Sequence, residues 1–157
     1  MASGQTHTLV TVAAAGLVGM LALPLAAKDV RILAVVPGCL AGMFLSPDLD
    51  VSQNISGWHV RRFGGIAGEL LSFLWRLFWW PYAAIIPHRH WVSHAPVVST
   101  LIRLVYLATP LLALLILLGS LEWALLFVLD HQLMFVSALF GLGLSDLLHW
   151  ILDWGPL

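Results

Sequence analysis

The sequence predicts an all-α integral membrane protein: a bundle of four transmembrane helices plus an aromatic-rich helix that lies in the interface or dips in re-entrantly. Three observations carry that reading. Of 157 residues, 61% are hydrophobic and 10% charged, with a mean hydropathy of +0.95, far from the balance of a soluble domain. The apolar residues gather into runs, several of them about long enough to cross a bilayer. The histidines and aspartates fall mostly at the ends of those runs. A formal charge of −1 leaves no basic face to neutralise a row of phosphates, which argues against nucleic acid as a partner. Cys39 is the only cysteine, so no intrachain disulfide forms, and its apolar run makes it a buried, inert thiol.

The first run, Thr8 to Ala27, is a spanning helix. No basic residue precedes it, so it reads as retained rather than as a cleaved signal peptide. Lys28-Asp29-Val30-Arg31 makes a charged turn. Ile32 to Leu45 is a second helix, short and kinked where Pro37 and Gly38 interrupt it. It stops at Ser46-Pro47-Asp48-Leu49-Asp50, because the residue before a proline is pushed off helical angles. Val51 to Gly65, with Arg61 and Arg62, is polar loop. Ile66 to Ile86 is apolar enough to span but contains Glu69, Arg76 and Pro81. An arginine at mid-bilayer costs about 2.5–3.5 kcal/mol, and Trp75, Trp79, Trp80 and Tyr82 favour the headgroup boundary, so this is the interfacial helix. Pro96 opens a third span that runs to Leu118 past Arg103 and Pro110 and is broken by Gly119-Ser120. Leu121 to Leu129 is a short apolar patch, and the fourth span runs from Gln132, or from as early as Glu122, to Trp154. No repeat or long linker divides the chain, so residues 1–157 form one domain.

Between the interfacial helix and the third span lies Pro87-His88-Arg89-His90-Trp91-Val92-Ser93-His94-Ala95-Pro96. Imidazole is the commonest metal ligand, and His90 and His94 share a face if the stretch is helical. The plainer alternative is a loop whose Arg89 and Trp91 meet lipid headgroups. The parity of four crossings favours a metal. It brings His7, Asp48, Asp50, His88, His90, His94, His149 and Asp153 to one side, against Lys28, Asp29, Arg31, Glu122, Asp130 and His131 on the other. His149 and Asp153, one helical turn apart, project from one face, as the inward pairs of bundle metal sites do. His7 has an alternative role as a helix cap, and Asp48 and Asp50 as a solvated turn. Asp146 lies two turns deeper than the helix end, where an unpaired carboxylate is expensive. Arg103 has about the same depth, so the two are expected to pair and support the ligands, with direct ligation by Asp146 the lesser alternative, unless Arg103 snorkels to the headgroups alone.

These residues carry a family resemblance. Ser3-Gly4-x-Thr6-His7, Pro47-Asp48-Leu49-Asp50, His88-Arg89-x-x-x-Ser93-His94 and His149-x-x-x-Asp153 resemble, in order, the signature of a family of small bacterial membrane proteins labelled metal-binding. They are similar, more remotely, to the LexA-regulated inner-membrane metal-dependent hydrolases. The resemblance runs from the N-terminus to Trp154. It implies His7, Asp48, Asp50, His88, His94, His149 and Asp153 as metal-site residues. His90 falls where such relatives carry a small residue, so the resemblance favours His88 with His94 and leaves His90 in a supporting place.

The expected chemistry follows from this ligand set. Mixed imidazole and carboxylate donors suit zinc first, or manganese or iron, and the candidates are numerous enough for one or two ions. Asp50, as a bridge, and His94 are the candidate catalytic residues of a site that activates water and clamps a phosphate oxygen. Arg89, Arg61 and Arg62 are candidates to bind anionic oxygens. Walls of Trp79, Trp80 and Trp91 at headgroup depth suit a lipid phosphoester or another amphiphile. The sequence therefore points to a membrane-embedded, metal-dependent hydrolase of phosphoesterase type. The alternative is a non-catalytic protein with a structural metal. A metal transporter is disfavoured because only Arg103 and Asp146 lie deep in the membrane. Arg61, Arg62, Arg76 and Arg89 outnumber Lys28 and Arg31, placing the site on the cytoplasmic side of a bacterial-type inner membrane.

Overall fold

The computed structural model describes residues 4–50, 60–62, 64–86, 92 and 95–154, and these contain helices and turns but no strand. Among the described residues six α-helices have both ends in view: α1 Gly4–Ala26, α2 Val35–Ala41, α3 Gly65–Ile85, α4 Pro96–Leu117, α5 Leu121–Asp130 and α6 Gln132–Trp154. Short 3-10 turns at Val30–Ala34 and Pro47–Asp50 flank α2. Three stretches are long and apolar enough to cross a membrane, Gln5–Ala26, Pro96–Leu117 and Gln132–Asp153. Their outward faces carry exposed leucines such as Leu21, Leu101 and Leu139, the reverse of a soluble bundle.

The second apolar run differs from the single kinked helix expected. Pro37 has no N–H to give the Leu33 carbonyl, so a continuous α-helix loses a bond there; the chain instead takes a 3-10 turn to Ala34 and starts α2 at Val35, which puts Pro37 in a first turn that needs no such bond. Helical structure from Val30 to Ala41 is too short to span alone. Even so, the segment accompanies α6 for most of its length. Arg31 Nη1 donates to the Asp130 carbonyl at one end, 3.1 Å, and Asp48 meets His149 at the other. Along α6 that is about 26 Å at 1.5 Å per residue.

Close packing of α2 on α6 holds this arrangement. A Cβ on Gly38 would fall on the Ala138 backbone, one on Gly141 on the Val35 carbonyl and Cys39 nitrogen, and one on Gly42 on the Ser145 side chain. Gly38 is thus present for close approach and not as a kink. Close backbone approach is accompanied along this seam by buried hydrogen bonds. Thr11 and Ser145 join α1 to α6 at 3.4 Å, and Cys39 Sγ points at the Thr11 carbonyl.

The breaks between the later helices follow local chemistry. Gly119, at φ 64°, ends α4 in a Schellman motif, with Ser120 N donating to Leu115 O and Gly119 N to Ile116 O. That turn makes Leu121–Asp130 a helix of its own. His131 then caps α5 through Phe127 O before α6 begins. Helix α3 attaches through its C-terminal half: Leu49 of the 47–50 turn packs with Trp79 and Tyr82 in a buried cluster, and Tyr106 of α4 donates to Phe78 O at 2.6 Å. Trp79 therefore fills the core beneath the turn, where the sequence suggested a wall of an open site; Trp80 is exposed.

Candidate metal centre

One end of the bundle collects polar side chains from three segments. Helix α1 begins at Gly4, four residues earlier than the apolar run suggests, so His7 stands in its first turn and is aimed by it rather than preceding the helix. His149 and Asp153 lie one turn apart near the end of α6, and Asp48 comes from the Pro47–Asp50 turn. Asp153 receives two imidazoles, with His7 Nε2 at 3.2 Å from Oδ1 and His149 Nε2 at 3.2 Å from Oδ2. The rings stack, centroids 3.9 Å apart and planes at 19°. Asp48 Oδ1 lies 3.5 Å from His149 Nε2. All four side chains are largely shielded, Asp48 the least at 17% exposed.

These spacings fit a shared cation, and in its place His7 Nε2 and Asp153 Oδ1 form a long hydrogen bond. Charge-assisted N–H···O⁻ bonds close to about 2.7–2.9 Å, whereas donors 2.0–2.1 Å from one tetrahedral ion stand about 3.3 Å apart. His7, His149 and Asp153 offer ligand atoms all within 4.8 Å of one another, and Asp48 flanks them. The buried His7 Nδ1 has no hydrogen-bond partner among the described residues, while Nε2 is the nitrogen that faces Asp153.

Asp146 stands apart from the ligand group. Its Oδ2 accepts from Arg103 Nη2 at 2.5 Å and from the Thr100 hydroxyl, and both charged side chains are almost wholly buried. Arg103 is not snorkelling. Its remaining donors reach Ser99 O at 3.1 Å, Ser99 Oγ at 3.2 Å and the Leu45 carbonyl. Thr100, Ser99 and the Leu45 carbonyl are absent from the sequence reading. The available signal was two hydroxyls, three and four residues before Arg103, on an otherwise apolar helix face.

Arg61 is exposed and engaged with Glu69 at 2.6 Å; Arg62 is exposed beside it. Asp50 closes the turn that carries Asp48; its side chain, together with His88, Arg89, His90, Trp91 and His94, lies outside the described residues.

A family model described as "uncharacterized metal-binding protein" (DUF2227) matches residues 2–156. No curated protein and no solved structure matches the chain. The match carries the metal-binding part of the resemblance drawn from the sequence and is silent on hydrolysis.

Proposed function

Because this chain belongs to the DUF2227 family of uncharacterized metal-binding proteins, we propose that it is a membrane-embedded, metal-dependent hydrolase whose ion is held by His7, Asp48, His149 and Asp153. The observation that carries the reading is the pair of imidazoles on the two oxygens of Asp153, with Asp48 at the side. Structural zinc sites are built largely from cysteine, catalytic ones from histidine and carboxylate with a position left open. The one cysteine here bonds to Thr11 and takes no part, which favours catalysis over a purely structural ion. Zinc is the first candidate metal, with manganese and iron behind it.

In this reading His7 and His149 bind through Nε2, Asp48 and Asp153 balance the divalent charge, and Asp50, His88 and His94 complete the site or take part in the reaction. A bound divalent ion supplies Lewis acidity to an ester oxygen and to a water. Asp153, fixed by two imidazoles, and Asp48, fixed by a buried turn, orient the site without rearrangement. The substrate is a phosphoester of a lipid or another amphiphile, and Arg61, Arg62 and Arg89 meet its charge. Residues 30–50 form a broken fourth crossing between α1 and α6; interrupted crossings are tolerated where they are buried in protein or line a site. Helix α3 lies along the interface, and the site faces the cytoplasm of a bacterial-type cell.

The test is elemental analysis of chain purified in detergent, followed by assays on phosphoesters in mixed micelles. About one transition metal per chain and turnover abolished by His149→Ala are expected. Folded protein without metal sinks the reading. Protein that holds its ion, unfolds with chelator and hydrolyses no ester in the panel makes the metal structural instead.

A further inference from the structure

We propose that Arg103 is a positioning residue for the metal centre: by clamping the Leu45 carbonyl to Asp146, it sets where Asp48 stands relative to His149 and Asp153. The inference rests on the reading of those residues as ligands. Leu45 lies three residues before Asp48, and Asp146 three before His149, so one guanidinium grips each ligand-bearing segment a turn upstream of its ligand. Nη1 takes the Leu45 carbonyl, Nη2 takes Asp146 and Ser99 Oγ, and Nε takes Ser99 O. The five N–H groups of arginine are fixed in one plane, so this fork sets a distance as well as supplying a charge.

Little slack separates the grip from the ligand. Pro47 has its φ locked by the ring and is buried. Leu49 N donates to Ser46 O at 3.2 Å, and the Leu49 side chain is sealed against Trp79 and Tyr82. A displacement of the Leu45 carbonyl is therefore passed on to Asp48, which already stands 3.5 Å from His149, slightly beyond the tetrahedral edge of about 3.3 Å. A buried ion pair that served only to glue helices would be replaceable by apolar side chains at little cost. A carbonyl clamp would not.

Cobalt(II) is the probe, added to the full chain in detergent micelles, with helix content checked by circular dichroism. Arg103→Lys keeps a charge for Asp146 but has a single ammonium in place of the fork. It should bind cobalt about 10–100-fold more weakly, as loss of an outer-shell partner does, and its visible d–d bands should shift to those of Asp48→Asn. Adding Asp48→Asn to Arg103→Lys should change nothing further, the signature of two changes acting on one contact. If Arg103→Lys loses helix, the double variant Arg103→Met with Asp146→Leu, which buries no charge, carries the same comparison. Wild-type affinity and bands in either folded variant, or an effect additive with Asp48→Asn, overturns the inference and leaves the metal site standing. Failure of the wild-type chain to take up cobalt overturns both.

Discussion

Alanine at Gly141 tests the link between helix packing and the site. The new Cβ would stand 2.7 Å from Cys39 N and nearer still to the Val35 carbonyl; an ordinary contact of 3.4 Å with Cys39 N alone needs 0.7 Å of separation between α2 and α6, and the Val35 carbonyl needs more. No flexible side chain is available to yield, since the atoms met are backbone. Overpacking of this kind costs about 1–3 kcal/mol, roughly 2–12 °C in Tm for a chain of this size. The segment that carries Asp48 rides on α2, so the 3.5 Å gap to His149 widens with it and metal retention falls. Gly143→Ala is the matched control: a Cβ there meets nothing within 4 Å, and alanine in a helix interior should stabilise by about 0.4–1 kcal/mol. Both variants are read by thermal unfolding in detergent and by metal content after gel filtration. Equal Tm and equal metal in Gly141→Ala and Gly143→Ala would refute the packing argument.

Three further outcomes are expected. Asp153→Asn removes the carboxylate that both imidazoles face, so bound metal should fall to background while helix content persists, and chelator should then no longer lower Tm; a chelator response equal to wild type would point to another site. Tyr106→Phe deletes the 2.6 Å bond to Phe78 O and should cost about 1 kcal/mol, seen as earlier proteolysis between α2 and α3 with little change in metal. Asp29 is held below the usual carboxylate range by the hydrogen bonds that the Arg31 side chain and backbone give it. Its contribution is therefore complete above about pH 4 and is lost as pH falls through the lowered native value. Tm measured against pH for Asp29→Asn should lack that acid decline, and an unchanged profile would discount the pair.

Much of the architecture was legible because length and composition by themselves pick out the helices apolar enough to cross a membrane, Gln5–Ala26, Pro96–Leu117 and Gln132–Asp153. The last α-helix runs from Gln132 to Trp154, the boundaries that the sequence suggests, because polar residues lie just before it. The run from Ile32 to Leu45 was less transparent. Its glycines resemble interruptions until α6 lies on them, and whether a glycine bends a helix or admits a neighbour depends on the neighbour. Trp79 likewise reads as an interfacial residue by type and becomes core only through Leu49 and Tyr82.

What the sequence determined by itself is local: the apolar lengths, the one-turn spacing of His149 and Asp153, and the depth at which an arginine and an aspartate had to find company. The tertiary structure decided which of many histidines and carboxylates face one another, bringing His7 over His149 with Asp153 between them, and it recruited Thr100 and the Leu45 carbonyl. His7 and Asp153 meet across 146 positions of the chain, and Thr100 and Asp146 across 46. Such contacts depend on how closely two helix backbones approach, a distance set by both surfaces together and written in neither one alone.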